Sequence, residues 1–229
     1  MMKIAVIGAG WYGCHISKKL LQLGCDLTIY ESQSDIFQGA SGYNQNRLHQ
    51  GFHYPRCKLT QIQTKSGFLK FKKEYEFLSK PIRNNIYAIS KEGSKLNFSQ
   101  YLEKVRELDM FKKNQLHDQI KLKNIEGSIS VNEEYIDFKK AKEYFSRILH
   151  NKIIFNTTIT QKSLPKIKKE FDYVIDCTYG QFNSFSFEKY YEANLLHLYK
   201  TKLDRENFAI TIMDGNFFSL FPWEERIYS

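Results

Sequence analysis

The chain has few cysteines and prolines, and it lacks long apolar runs. Only four of its 229 residues are cysteine and four are proline. The cysteines form no CxxC pair, which argues against a disulfide framework or a zinc site and favours a reducing compartment. No apolar stretch approaches the roughly 18 residues that a membrane-spanning helix needs. These absences predict a cytoplasmic globular protein with no membrane span.

A dense basic patch is also missing, although the formal net charge is +9. Acids and apolar residues interrupt the lysines at helix or strand spacing, as in segments 68–80 and 166–170. Such spacing is typical of solvated faces, whereas nucleic-acid binding needs clustered cations that neutralise phosphates. No nucleic-acid partner is therefore predicted.

The segment Lys3–Glu31 has the pattern of a dinucleotide-binding βαβ unit. Its apolar run Ile4–Ile7 predicts a central parallel strand that is buried on both faces. Gly8, Gly10 and Gly13 then form G-x-G-x-x-G. The first glycine allows a tight turn, the second lets the backbone approach a pyrophosphate, and the third lets the helix pack closely on the strand.

A helix and a second strand follow the glycines. Helical spacing predicts a buried face on the helix, which ends at Gly24; the residues of this face are Ile16, Leu20, Leu21 and Leu23. The strand Asp26–Tyr30 leads to Glu31, whose carboxylate can accept hydrogen bonds from both ribose hydroxyls and would repel a 2′-phosphate. NADP is therefore disfavoured, while NAD and FAD both remain open at this point.

The loop Ile36–Arg56 is polar, rich in glycine and long for a compact domain, which indicates a functional loop. With the βαβ unit, it resembles the FAD-dependent D-amino-acid oxidase superfamily, in which Gly-Ala-Ser follows the ribose-binding acid and leads past the flavin. The matching residues are Gly39, Ala40 and Ser41. The segment Leu48–Tyr54 resembles the His-x-Gly pattern with following aromatics in the 2-hydroxyglutarate branch of that family.

A second match lies at 171–180, where an apolar strand ends in Thr-x-Gly. This segment is similar to the one in which many flavoproteins return to the nucleotide sheet, and a predicted helix at 136–149 and strand at 152–159 precede it. The resemblance implies FAD as the cofactor. The residues that it assigns to cofactor binding are Gly8, Gly10, Trp11, Tyr12, Gly13, Glu31, Gly39, Ala40, Ser41, Arg47, Leu48, Thr178 and Gly180.

The resemblance also implies a reaction in which a hydride leaves a C–H bond next to an amine or hydroxyl and passes to the flavin. Arg47 and His49 are the first candidates for catalytic residues, with His53 and Tyr54 behind them. Arginine can hold a substrate carboxylate, and histidine can accept a hydroxyl proton. The alternative is that these side chains only hold the loop in place through hydrogen bonds.

A metal site and a covalent flavin link are two further interpretations of this loop. His49 and His53 stand four residues apart, but Gly51 and Pro55 argue against the helix that such a metal site needs, so none is predicted. Some relatives in the family attach FAD through a histidine or cysteine. His49, His53 and Cys57 are the residues that could serve, and their spacing does not decide between them.

The predicted fold is α/β with two domains. A Rossmann-like FAD-binding domain with a parallel sheet takes residues 1–82 and 136–184. A smaller, mainly antiparallel α+β substrate domain takes 83–135 and 185–229, with strands expected at 86–90, 190–203 and 207–221, a helix at 98–111 and a turn at 222–226.

The substrate domain is expected to be incomplete, because members of the family usually carry well over a hundred further residues. Two functions follow: an FAD-dependent oxidoreductase acting on a small amine, amino acid or 2-hydroxy acid, or a truncated, non-catalytic remnant or subunit. The small-molecule substrate is then one partner, and a second copy or a complementing chain is another. An NAD-dependent dehydrogenase is disfavoured by the loop at 39–41 and by the Thr178-x-Gly180 segment.

Overall fold

The computed structural model describes residues 1–108, 111–113, 121–182, 188, 190, 193, 195–201, 208–215, 217–224 and 226–229. The chain divides into two compact units. The first unit comprises Met1–Asn44 and Phe138–Leu195, and the second comprises Gln45–Asp137 and Leu196–Ser229.

The described residues form helices and strands in an alternating order. The helices are α1 (Trp11–Gln22), α2 (Lys58–Tyr75), α3 (Phe98–Val105), α4 (Phe138–Leu149) and α5 (Leu164–Glu170). The strands are β1 (Lys3–Ile7), β2 (Asp26–Tyr30), β3 (Arg47–Leu48), β4 (Ser79–Pro81), β5 (Asn84–Ser90), β6 (Phe111–Lys113), β7 (Ile125–Val131), β8 (Glu134–Ile136), β9 (Ile153–Ile154), β10 (Tyr173–Asp176), β11 (Tyr199–Lys200), β12 (Phe208–Met213), β13 (Phe218–Leu220), β14 (Pro222–Glu224) and β15 (Ile227–Tyr228).

The first unit contains the predicted parallel sheet, with strand order β10-β1-β2-β9 and parallel pairing throughout. Ile4, Ala5, Val6 and Ile7 are buried, as expected for a central strand covered on both faces. Small residues, rather than the predicted leucines, form the most buried positions of α1: Gly13, Cys14 and Ser17. Leu23 is exposed, since α1 ends at Gln22 and the chain then turns away at Gly24.

The second unit contains the predicted, mainly antiparallel sheet structure. A five-stranded sheet has the order β13-β12-β5-β7-β6, in which the β12–β5 pair is parallel and the others are antiparallel. Two three-stranded sheets accompany it, with orders β3-β8-β4 and β11-β15-β14. Large buried side chains from β5, β7 and α3 form a core that includes Tyr87, Tyr101 and Ile129.

Residues 45–82 belong to the second unit, whereas the sequence pattern assigned them to the first domain. The reason is strand pairing, because β3 and β4 lie on either side of β8 and bond to it. The backbone N–H of Asp137 also donates to the Leu78 carbonyl at 2.8 Å. These partners are more than fifty positions apart, so no local pattern indicated them.

Two further differences concern the chain after residue 195. The expected turn at 222–226 includes the strand β14, because Pro222 starts an edge strand, a position where its missing N–H is tolerated. Within the expected strand at 190–203, the described residues form strand structure at β11, and residues 191–192, 194 and 202–203 lie outside the described residues. None of the helices described above is long and apolar enough to cross a membrane.

Candidate functional site

The glycine turn joins β1 to α1 and has no space for side chains at two of its three glycines. Gly8 has φ +100°, and a Cβ there would lie 2.7 Å from the Cys177 carbonyl oxygen. A Cβ on Gly13 would overlap the Gly8 carbonyl oxygen. Gly10 is different, because its Cβ would meet only the Ser41 hydroxyl, at 3.3 Å. Packing within the chain therefore requires the outer glycines, while the middle one keeps the backbone accessible to a ligand.

Glu31 directly follows β2 and is buried, with 8% of its surface exposed. Its Oε2 accepts a hydrogen bond from the Ala9 backbone N–H at 2.6 Å. Its Oε1 accepts from the Gln33 N–H at 2.9 Å and from the Ser32 hydroxyl at 3.1 Å. A carboxylate has about four acceptor positions, so, among the residues that the structure describes, Oε2 retains one for a further donor.

The loop after Glu31 folds back onto α1. Ala40–Gly42 forms a short 3-10 helix, and the Ser41 hydroxyl oxygen accepts a hydrogen bond from the Trp11 backbone N–H at 2.9 Å. Ser41 thus caps the first turn of α1 from outside the helix. Gly39 faces open space among the described residues, whereas a Cβ on Gly42 would overlap the Phe37 carbonyl oxygen. The glycine that this loop needs is therefore Gly42, which sequence analysis did not single out.

The two aromatics of the glycine motif have different surroundings. Trp11 stacks on Phe37 with ring centroids 5.6 Å apart and meets the edge of Phe145 at 5.4 Å. Tyr12 is 77% exposed. Packing on the protein accounts for Trp11, and a contact with a cofactor stays a prediction for Tyr12.

Thr178 and Gly180 lie in a tight turn after β10. The Thr178 backbone N–H and hydroxyl both donate to Asp176 Oδ1, at 2.8 and 2.6 Å, and Gly180 has φ +76°. Since β1, β2 and β10 are parallel, the segments that follow them, at Gly8, Glu31 and Thr178, all leave the same edge of the sheet. Ligands of open α/β sheets bind at this carboxyl edge.

Arg47 lies in β3 and is held within the second unit. Its Nε donates to Gln45 Oε1 at 2.8 Å and its Nη1 to Thr211 Oγ1 at 2.9 Å, while Nη2 contacts Ser219 Oγ. The guanidinium also lies over the Phe221 ring, 4.1 Å from its centroid. Burial lowers the pKa of Arg47 from its ordinary value, partly offset by Tyr87 and Glu133. Its neighbour Leu48 is buried in the same strand.

A buried acid lies beside His49. Glu133 is 3% exposed and accepts hydrogen bonds from the Tyr87 hydroxyl at 2.7 Å, the Asn85 amide at 3.2 Å and the Gln50 backbone N–H at 2.6 Å. His49 Nδ1 lies 3.5 Å from the Tyr87 hydroxyl oxygen and 3.8 Å from Glu133 Oε2. This buried network provides a proton-accepting group with a fixed anionic neighbour.

His53 and Tyr54 complete an aromatic cluster with His49. The ring centroids of His49 and His53 are 5.0 Å apart, and those of His53 and Tyr54 are 5.1 Å apart. The His53 Nδ1 is buried and has no hydrogen-bond partner among the described residues. Burial raises the pKa of Tyr54 above its ordinary value. The four catalytic candidates, Arg47, His49, His53 and Tyr54, therefore all lie in the second unit.

Sequence comparison relates nearly the whole chain to one curated enzyme. The FAD-dependent monooxygenase FPY4 of Fusarium mangiferae is 33% identical over 226 residues, which cover 96% of this chain and 61% of that protein. The sequence is thus similar to part of an FAD-dependent monooxygenase, and the chain spans less than two thirds of that protein's length. The FAD-dependent monooxygenase kojA of Aspergillus flavus is 38% identical over 87 residues, or 38% of this chain and 20% of kojA. No model of a known protein family matches.

Solved structures show that the chain is similar in fold to known enzymes. L-proline dehydrogenase from P. horikoshii aligns with 99% of this chain and 68% of its own, with TM-score 0.66 and 12% identity. L-alpha-glycerophosphate oxidase from Mycoplasma pneumoniae with FAD bound aligns with 70% of this chain and 46% of its own, at TM-score 0.55 and 18% identity. The predicted α/β fold class is therefore confirmed.

Sequence analysis did not single out Glu133. Asn132 and Glu133 are polar and form the short connection between β7 and β8, which is typical of a solvated turn. Tertiary packing buries Glu133 instead, because the side chains of Tyr87, Asn85 and His49 and the backbone N–H of Gln50 surround its carboxylate. The apolar residues on both sides of Glu133 predicted β-strands, but they did not indicate a buried carboxylate or a functional role.

His53 provides a test of this packing through pH. Burial, with His49 and Arg47 nearby, lowers the pKa of His53 to about 3. An unfolded histidine has a pKa of about 6.5, so the unfolded chain binds one more proton between these values. Stability should therefore fall as pH drops from about 6.5 towards 3, by at most about 1.4 kcal/mol per pH unit from this residue.

Urea unfolding at a series of pH values measures this effect. We expect His53→Gln to flatten the acidic slope, because glutamine does not titrate. His150→Gln, which changes an exposed histidine, is the matched control and should keep the slope of the unchanged chain. Equal slopes for all three proteins would contradict the burial of a neutral His53.

Proposed function

We propose that this chain binds FAD and belongs to an FAD-dependent oxidoreductase of the D-amino-acid oxidase type. The observation that carries the proposal is Glu31, a buried carboxylate at the carboxyl edge of a parallel sheet, joined to the glycine turn through Ala9 N–H and retaining one acceptor position. A ribose hydroxyl is the donor that fits this position. The curated relatives are named as FAD-dependent, which supports the same cofactor.

The other residues of the first unit would hold the rest of the cofactor. The backbone at Gly10 has room for a pyrophosphate, and the start of α1 favours negative charge. Bound FAD would supply the hydride acceptor for substrate oxidation. The assignments of Gly39, Ala40, Thr178 and Gly180 to cofactor binding remain proposals of the same kind.

We further propose that the second unit acts on the substrate. His49 is the proton acceptor, because its imidazole is partly exposed and lies next to the anionic Glu133. Arg47 is the cation of the cluster, and it suits a substrate with a carboxylate, such as an amino acid or a 2-hydroxy acid. His53 and Tyr54 enclose the proton acceptor on one side.

Glu31→Gln tests the cofactor proposal. Glutamine keeps the size of the side chain but removes its charge, so a ribose hydroxyl loses a charge-assisted hydrogen bond. We expect the dissociation constant for FAD to rise about tenfold to a hundredfold, from the loss of about 1.5–3 kcal/mol. Titration of the flavin-free protein with FAD, monitored by flavin fluorescence, measures this dissociation constant.

Glu170→Gln is the matched control, because it removes an exposed carboxylate from the same unit. It should bind FAD like the unchanged chain. If Glu31→Gln also binds FAD like the unchanged chain, Glu31 does not bind the ribose and the proposed cofactor site is wrong. Urea unfolding of the flavin-free variants separates a loss of binding from a loss of folding.

A second candidate function is a non-catalytic remnant or subunit that needs a further polypeptide to act. Its support is that the chain spans 61% of the length of FPY4. A chain that folds but does not retain FAD after gel filtration would favour this candidate. A chain that retains FAD, and whose flavin absorbance is lost when an amine or 2-hydroxy acid is added, would favour the oxidoreductase.

We propose the cytoplasm as the compartment. All four cysteines, Cys14, Cys25, Cys57 and Cys177, are free thiols. Burial is the main reason that the pKa of Cys177 is raised to about 11, so its thiol is inert. Free, unpaired cysteines are typical of a reducing compartment.

A further inference from the structure

Glu133 is ionised even though it is buried. Burial favours the neutral acid, but the nearby His49 and the hydrogen bonds from the Gln50 N–H and the Tyr87 hydroxyl outweigh it and hold the pKa of Glu133 below its ordinary value. An ionised carboxylate only accepts hydrogen bonds. The Tyr87 hydroxyl, 2.7 Å from Glu133 Oε2, must therefore be the donor of that hydrogen bond.

This assignment fixes the direction of the next hydrogen bond. Burial and the nearby Glu133 raise the pKa of Tyr87 well above its ordinary value, so Tyr87 keeps its single proton. That proton is committed to Glu133, and the Tyr87 oxygen can only accept from His49 Nδ1 at 3.5 Å. Glu133 Oε2 also attracts a proton on Nδ1 from 3.8 Å. Both neighbours of Nδ1 are thus acceptors.

We propose that Glu133, acting through Tyr87, is the positioning residue that keeps neutral His49 in the tautomer with its proton on Nδ1 and its lone pair on Nε2. In this arrangement the His49 Nδ1–H donates to the Tyr87 oxygen, and the Tyr87 O–H donates to Glu133 Oε2. The Glu133 carboxylate, acting through Tyr87, thereby leaves Nε2 as the His49 nitrogen that can act as a base.

The remaining groups around His49 do not reverse this order. His53 is neutral near pH 7 because its pKa is about 3, and Tyr54 meets His49 only through ring contact. The titratable and charged groups that face the cluster are Arg47, His53, Tyr54, Tyr87 and Glu133. Among these described groups, Glu133 is the anion.

The use of this tautomer rests on the proposed function. In the proposed substrate oxidation, His49 Nε2 would accept the proton of the substrate hydroxyl or ammonium group, and bound FAD would supply the acceptor for the hydride of the adjacent C–H bond. The C–O or C–N single bond becomes a double bond, so atoms and electrons balance. The tautomer itself is a property of the second unit and can be measured without cofactor or substrate.

Nitrogen NMR of the full chain with 15N-labelled histidine reads the tautomer directly, because a protonated and a bare ring nitrogen have well-separated chemical shifts. The spectrum is recorded at about pH 8, where an ordinary imidazole is neutral. His49→Asn identifies the His49 signals by their loss. We expect the unchanged chain to show a protonated Nδ1 and a bare Nε2 at His49.

Two variants test the cause. We expect Glu133→Gln and Tyr87→Phe each to shift the His49 signals towards a mixture of the two tautomers. Tyr101→Phe is the matched control, because the buried Tyr101 hydroxyl donates to the Phe52 carbonyl and not to Glu133. It should leave the His49 signals unchanged, which separates the loss of this network from the loss of any buried hydroxyl.

The outcomes distinguish this inference from the proposed function. A protonated Nε2 at His49 in the unchanged chain would overturn the inference, even if the protein binds FAD and oxidises a substrate. Unchanged His49 signals in folded Tyr87→Phe would also overturn it. The expected tautomer, lost in folded Tyr87→Phe, would support the inference even if the chain failed to bind FAD.

Discussion

Gly13→Ala should abolish FAD retention and lower the free energy of unfolding by about 3 kcal/mol or more. The added Cβ would overlap the backbone carbonyl oxygen of Gly8, which cannot move without opening the turn between β1 and α1. Overpacking of this kind typically costs about 1–3 kcal/mol, and a rigid backbone neighbour places the effect at the upper end or beyond. Urea unfolding of the flavin-free protein and FAD titration measure the two losses.

Gly67→Ala is the matched control. Gly67 lies inside α2, and a Cβ there meets no heavy atom of the described residues within 4 Å. Alanine is the better helix former, so this variant should be more stable by roughly 0.5–1 kcal/mol. A Gly13→Ala protein as stable as the unchanged chain would show that α1 does not pack on the turn in this way.

Arg47→Met should lower the free energy of unfolding by about 2–4 kcal/mol. Methionine fills much of the space but leaves the oxygens of Gln45, Thr211 and Ser219 without their donor and removes the cation above Phe221. Each buried group left unpaired costs about 1–3 kcal/mol, and the loss of a cation–π contact adds to this. The free energy of unfolding of Arg47→Lys should lie between those of Arg47→Met and the unchanged chain, because lysine keeps the charge but not the planar guanidinium group.

Arg106→Met is the control, because Arg106 is exposed at the end of α3. Its effect should stay within about 0.5 kcal/mol of zero. If Arg47→Met and Arg106→Met have the same free energy of unfolding, the hydrogen bonds of Arg47 do not stabilise the second unit. If Arg47→Lys restores stability but not substrate oxidation, Arg47 acts on the substrate in addition to holding the loop.

Local patterns predicted the first part of the chain well. Strand β2 has the predicted bounds, Asp26–Tyr30, and β1 is one residue longer than the apolar run. The parallel sheet and the positions of Gly8 and Glu31 at its carboxyl edge were also predicted, since strand, turn and helix signals are contiguous in sequence. The fold class is confirmed by structural similarity to FAD-bound oxidoreductases.

Predictions were weaker where long-range pairing decides the structure. The predicted strand at 152–159 is reduced to Ile153–Ile154, because only these residues pair with β2. The helix expected at 98–111 ends at Val105 and is followed by a 3-10 turn to Leu108. Residues 109–110 lie outside the described residues, and Phe111 begins β6, which pairs with β7. The roles proposed for the candidate site residues remain predictions.

Local sequence signals were sufficient to predict the βαβ unit, its glycine turn and the acid that follows it, because the physical causes act over fewer than thirty residues. The side chains that surround the candidate catalytic residues could not be predicted in this way, because they come together through tertiary packing. Arg47 contacts Thr211 and Ser219, which are more than 160 positions away in sequence, and Glu133 lies beside His49, which is 84 positions away. Such contacts depend on how strands pair and pack, and no local periodicity encodes them.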